Sequence, residues 1–173
     1  MGHGRPIDII KSLRILDWEV IFVGWNRGWI TRDDLVNYAF DQIGPESKDD
    51  FAFLSLLTNA ANMHDDSIRD LLVRLVEKQP QHNSLALDKW RLGYLLELNN
   101  LDLSWNEKVT RLEEIGVEFG FPPDMEHCTH YGPSQKAIDD GNSSKEDLLK
   151  DPLDEMQQVI AKLKKGLGIK SPT

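Results

Sequence analysis

A chain of 173 residues, 40% of them apolar and including five Trp and six Phe, is long enough to bury one substantial core, so a single domain over 1–173 is expected. Its formal charge of −9 concentrates between 84 and 131, where nine acidic residues stand against four basic ones, and the missing basic stripe argues against nucleic-acid binding. Apolar runs such as 20–25 and 52–57 are too short for the roughly 18–20 residues of a membrane span, no export signal opens the chain, and the single Cys128 leaves no internal disulfide, which together point to the cytoplasm.

In chain order, Ile7 to Leu16 and Trp18 to Trp25 read as helical segments of weak periodicity, the second ending at a turn of Asn26, Arg27 and Gly28. Thr31 and Asp34 have capping-box spacing, and Leu35, Val36, Ala39, Phe40 and Ile43 then share one face until Gly44-Pro45 stops the run, which predicts a helix over 32–43. Phe51 to Ala61 reads as an apolar, buried helix. Asp65 is placed as the N-cap of the next one, in which Ile68, Leu71, Leu72 and Leu75 form the core stripe while Asp66, Asp70 and Arg74 lie outside it.

Leu85 to Leu98 follows Ser84 and is apolar nearly all round, as expected of the central, most buried helix. Ser104 and Glu107 form a full capping-box signature; Trp105, Val109, Leu112 and Phe119 then fall on one face, and Glu107, Arg111, Glu114 and Glu118 on the outer one, before Gly120 and Pro122 close the element. Residues 132–150 read as an irregular exposed loop. Asp151 and Pro152 open a C-terminal helix over 151–168, whose early Asp154 and Glu155 and late Lys162, Lys164 and Lys165 complement the helix dipole. No heptads and no sustained alternation compete, so the fold class is all-α, a compact bundle of about eight or nine helices.

Chemistry has few footholds. His127-Cys128-Thr129-His130 is the one His/Cys cluster, but zinc sites present two ligand pairs at defined separations, and His3, His64 and His82 supply no second pair. A nucleophilic Cys128 activated by His127 or His130 is the enzymatic alternative, although adjacent residues seldom reach the required geometry. The pairs Asp33-Asp34, Asp49-Asp50, Asp65-Asp66 and Glu113-Glu114 are explained by helix starts and solvated faces, and Gly24 to Gly28 lacks the strand and the Lys-Ser/Thr ending of a phosphate loop. Trp18, Trp25 and Trp29 suit either helix-junction packing or a binding hot spot. Neither a metal nor a cofactor is expected, and no catalytic residue is assigned.

Trp25-Asn-Arg-Gly28-Trp29-Ile30-Thr31 leading into Leu35-Val-Asn-Tyr38-Ala39, then Lys89-Trp90, then Glu118-Phe-Gly-Phe-Pro122 and Tyr131-Gly-Pro133, resembles a helical bacterial family of uncharacterised domains. Its members are often encoded beside polymorphic or contact-dependent toxins and are suspected immunity proteins. The resemblance covers about 15–135 and brings no catalytic residues with it. What it implies is a binding protein that neutralises a cognate toxin, of nuclease type, in a stoichiometric complex; a helical adaptor with another protein partner is the alternative. Acidic proteins are steered quickly onto basic surfaces such as nuclease sites, and Asp66, Asp70, Glu107, Glu114 and Glu118 are the expected partner-binding residues. The sequence specifies no oligomeric state.

Overall fold

The structure, a computed structural model, describes residues 4–44, 51–79, 85–129 and 151–169. The expected loop over 132–150 lies outside the described residues, as do His82, Ser84, His130, Tyr131 and Pro133. Eight α-helices are described: α1 (Pro6–Ser12), α2 (Trp18–Arg27), α3 (Arg32–Gln42), α4 (Phe51–Leu57), α5 (Asp65–Glu77), α6 (Ala86–Asn100), α7 (Trp105–Glu118) and α8 (Pro152–Gly166), with 3-10 turns at Ala60–Asn62 and Pro123–Met125. Among the described residues there is no strand, and the fold is all-α. The chain divides into two compact units, one of Ile15–Leu87 and one formed by 1–14 together with 88–173.

In the Ile15–Leu87 unit, α2 and α5 are the main packed pair. Asp17 starts α2 by accepting the Val20 N–H at 2.9 Å, and Val20, Ile21 and Gly24 are buried on that helix, as the full stripe Ile68, Leu71, Leu72 and Leu75 is on α5. Both halves of the Thr31–Asp34 capping box form. The core face of α3 is Leu35, Tyr38 and Ala39, whereas Phe40 and Ile43, expected inside, are exposed. A tyrosine can take that place because its ring stacks edge-on against Trp18, centroids 4.7 Å apart, and its hydroxyl donates to the Leu16 carbonyl at 3.3 Å.

The helix expected over 51–61 stops at Leu57, and Phe51 and Leu56 are exposed. Thr58 Oγ1 and Asn59 Nδ2 both donate back to the Ser55 carbonyl, offering the backbone an alternative to a further helical turn. The Arg32 guanidinium then collects the segment: it donates to the Ala60 and Met63 carbonyls, pairs with Asp65 and lies 5.9 Å from the Trp25 ring centroid. Asp65 is therefore not the N-cap of α5. It is the first helical residue, engaged by Arg32, and His64 occupies the cap position without a side-chain hydrogen bond.

In the other unit α1 ends at Ser12, four residues before the expected Leu16, because Arg14 turns the chain with φ +58°. Trp90, Leu92, Leu95 and Leu98 bury α6, but the expectation that it is apolar-packed all round fails at its start, where Leu85 and Leu87 are exposed. Gly93 marks the close approach of α1 to α6, since a Cβ there would sit 3.0 Å from both the Ile10 side chain and the Pro6 carbonyl oxygen. Gly93→Ala is accordingly expected to destabilise by about 1–3 kcal/mol, the range for overpacking, although alanine favours helix. Urea denaturation of the variant measures it, and an unchanged or higher midpoint would refute the close approach.

Three helices end alike. Gly28, Gly120 and Gly168 take φ of +70°, +72° and +69° after α2, α7 and α8, and the residue beyond each donates its N–H to a carbonyl five residues back, the pairing of a Schellman motif. Asp151 caps α8 through the Leu153 N–H at 2.9 Å and also accepts the Trp105 indole N–H at 3.1 Å. Trp105 is thus tied by its polar edge at a half-open position, and not packed on the apolar face of α7 where its spacing placed it; Ile115 and Gly116 are buried there with Val109 and Leu112.

Candidate functional site

The outer face of α7 assembles three of the five expected acidic residues. Glu107 is committed locally: its carboxylate accepts from the Ser104 N–H at 2.9 Å and hydroxyl at 2.5 Å, and these hydrogen bonds draw it below the usual carboxylate range. Glu114 pairs with Arg111 at 3.2 Å, both well exposed, and Glu118 is exposed at the end of the helix. Asp66 and Asp70 are exposed on α5, Asp66 with Arg69 at 3.5 Å. They belong to the Ile15–Leu87 unit, so the five residues form two groups on separate units.

Sequence reasoning missed the apolar members of the α7 face. Val117 is 65% exposed and Phe121 50%. Phe121 is held by its N–H, which donates to the Gly116 carbonyl at 2.7 Å, in the left-handed region at φ +48°. That conformation costs a non-glycine residue roughly 1–2 kcal/mol. Its ring lies over Gly116, where a Cβ would come within 2.9 Å of Phe121 Cε1, and a glycine inside a helix costs about 0.5–1 kcal/mol more. Gly116, and Gly120 immediately before Phe121, were the available signal.

A second cluster is buried. Arg91, 6% exposed, spans Asp124 with Nη1 at 2.6 Å and Nη2 at 3.2 Å, and reaches Asp88 at 3.0 Å; its Nε has no hydrogen-bond partner among the described residues. Lys162 of α8 lies 3.6 Å from Asp124. The bidentate fork fixes the 3-10 turn at Pro123–Met125 to α6. Cys128 is buried near this cluster, and burial first, then Glu155 and Asp124, push its thiol up to about 12 against the opposing Arg91. Burial of this kind favours the protonated thiol over the thiolate. Among the described residues no group of three or more His, Cys, Asp or Glu is placed to hold a metal. An open groove of about 430 Å³ along α8, lined by Gln157, Ile160, Ala161, Lys164, Lys165 and Ile169, presents ammonium groups but no carboxylate or nucleophile.

Burial likewise raises Tyr38, and lifts Tyr94 to about 12. In the unfolded chain these groups ionise near their ordinary values, about 8.5 for Cys and 10 for Tyr, so above roughly pH 8.5 the unfolded state binds fewer protons than the folded one. Stability is expected to be complete below that pH and to fall progressively as pH rises toward 12. Urea midpoints at pH 8 and pH 10.5 test this; equal midpoints would contradict it.

The described residues define an all-helical protein that exposes a charged and apolar helix face, and no helix among them is long and apolar enough to cross a membrane. The chain belongs to the family described as uncharacterized proteins conserved in bacteria, DUF2247, whose model matches residues 7–165. No curated protein and no solved structure matches it.

Proposed function

We propose that this protein acts in the cytoplasm by binding and neutralising a cognate bacterial toxin, a nuclease-type effector of a polymorphic or contact-dependent system, in a stoichiometric complex. The observation that supports the reading is the outer face of α7, where Glu114 and Glu118 stand exposed beside Val117 in the most acidic stretch of the chain. A nuclease binds phosphates through a basic site, and an acidic face is attracted to such a site over several ångströms before contact. The activity is one of binding, with no catalytic residue and no cofactor.

Co-expression with the toxin domain encoded beside its gene tests this. The expected result is a one-to-one complex, protection of the producing cells, and association that slows as salt rises past the roughly 8 Å Debye length of physiological ionic strength. Reversing Glu114 and Glu118 together to lysine should weaken the complex at least tenfold while the helical signal is unchanged. A complex without protection would favour the adaptor reading; no complex, or an unaffected double reversal, would remove the toxin reading or its acidic face respectively.

A further inference from the structure

We infer that the C-terminal end of α7, Val117 and Phe121 framed by Glu113, Glu114 and Glu118, is a docking knob for a basic protein surface containing an apolar recess. The inference rests on the binding-protein reading and locates its anchor. Two exposed apolar side chains four residues apart project at the end of the helix, and one of them is built in at a cost: Phe121 sits at positive φ, clamped by the Schellman hydrogen bond to Gly116, with its ring over the one position on the preceding turn where a Cβ could not fit. Left to its own preferences a phenylalanine at a helix end would avoid that conformation. The clamp fixes the backbone that carries a half-exposed aromatic ring, and exposed aromatics are the kind of anchor that dominates binding energy.

Charge selects the occupant. Glu113, Glu114 and Glu118 lie within the same turn and a half of helix, Glu114 paired with Arg111 at 3.2 Å. A second copy of this chain would bring like charges together, and a phosphate backbone would be repelled, whereas a Lys/Arg-rimmed recess would meet opposite charge around an apolar centre.

Photocrosslinking in the native bacterium tests the knob, with p-benzoylphenylalanine placed at Phe121 or at Val117, and at the exposed Asp33 and Asn37 of α3 as controls. The expected result is one heteromeric adduct from positions 117 and 121 and none from 33 and 37, with the crosslinked peptide in a Lys/Arg-rich segment of the partner. With that partner purified, Phe121→Gly should lower affinity at least tenfold. Glycine relieves the positive φ, so the variant's thermal midpoint should not fall, and Val117→Ser at an exposed position should weaken binding in the same sense. Absence of adducts, adducts to a second copy, equal adducts from α3, or full affinity in Phe121→Gly would each overturn the knob. An adduct to a protein that is not a toxin refutes the neutralisation reading and leaves the knob standing, whereas a protective toxin complex without adducts at 117 and 121 does the reverse.

Discussion

Truncating Trp90 to alanine is expected to lower the folding free energy by about 3–5 kcal/mol, the range for removing a buried aromatic side chain and leaving a cavity that relaxes only in part. Trp90 is 0% exposed and is the largest fully buried side chain described. It stands at the head of an aromatic row, its ring 6.3 Å from Tyr94, which in turn meets Phe119 edge-on at 5.8 Å. Because whole domains hold only about 5–15 kcal/mol, the loss should be visible as a large drop in urea midpoint and a partly unfolded population at 37 °C. A loss under 1 kcal/mol would mean that α6 is not the centre of its unit.

Asp124→Ala is expected to cost nearly as much, about 3–5 kcal/mol, because it strands a buried guanidinium. Arg91 would keep only Asp88, whose side chain is 43% exposed, after losing both hydrogen bonds of the fork. The comparison that isolates the mechanism is the double variant Arg91→Met with Asp124→Leu: removing both charges and filling the space should recover most of the loss, since a buried ion pair is seldom worth more than apolar packing of the same volume. Chemical denaturation of the three variants reads it. Equal loss in the single and double variants would show that the turn at Pro123–Met125 depends on the aspartate for some reason other than its charge.

Helix identity was legible where the local code is strong. Thr31 with Asp34, Ser104 with Glu107, and Asp151 before Pro152 each mark a helix start that the structure contains, because a cap is satisfied by atoms within three residues of itself. The Ile68, Leu71, Leu72 and Leu75 stripe was equally plain, being a period-3.6 pattern with nothing polar inside it. Weak starts and stops were not. Arg14 and Thr58 end their helices through backbone and side-chain geometry that spacing does not encode, and Asp65 has the residue type of a cap but is taken up by an arginine 33 residues away.

The same division holds for the candidate site. The acidic outer face of α7 follows from sequence, since any helix that buries Val109 and Leu112 must turn Glu107, Arg111, Glu114 and Glu118 outward. Its apolar content does not, because exposure of Phe121 depends on a positive φ after Gly120 and on the lack of a side chain at Gly116. By itself, then, the sequence determined an all-α chain with acidity in its middle, the capped helices, and which face of α5 and α7 turns inward, all of them properties of residues within a few positions of one another. Only the tertiary structure decided that Arg91 and Asp124 form a buried pair, that Cys128 is buried with its thiol pushed up by that burial, and that Asp66 and Asp70 lie on a different unit from Glu114 and Glu118. Those depend on which distant segments meet, and a buried charge or a raised pKa exists only once the surrounding chain has excluded water.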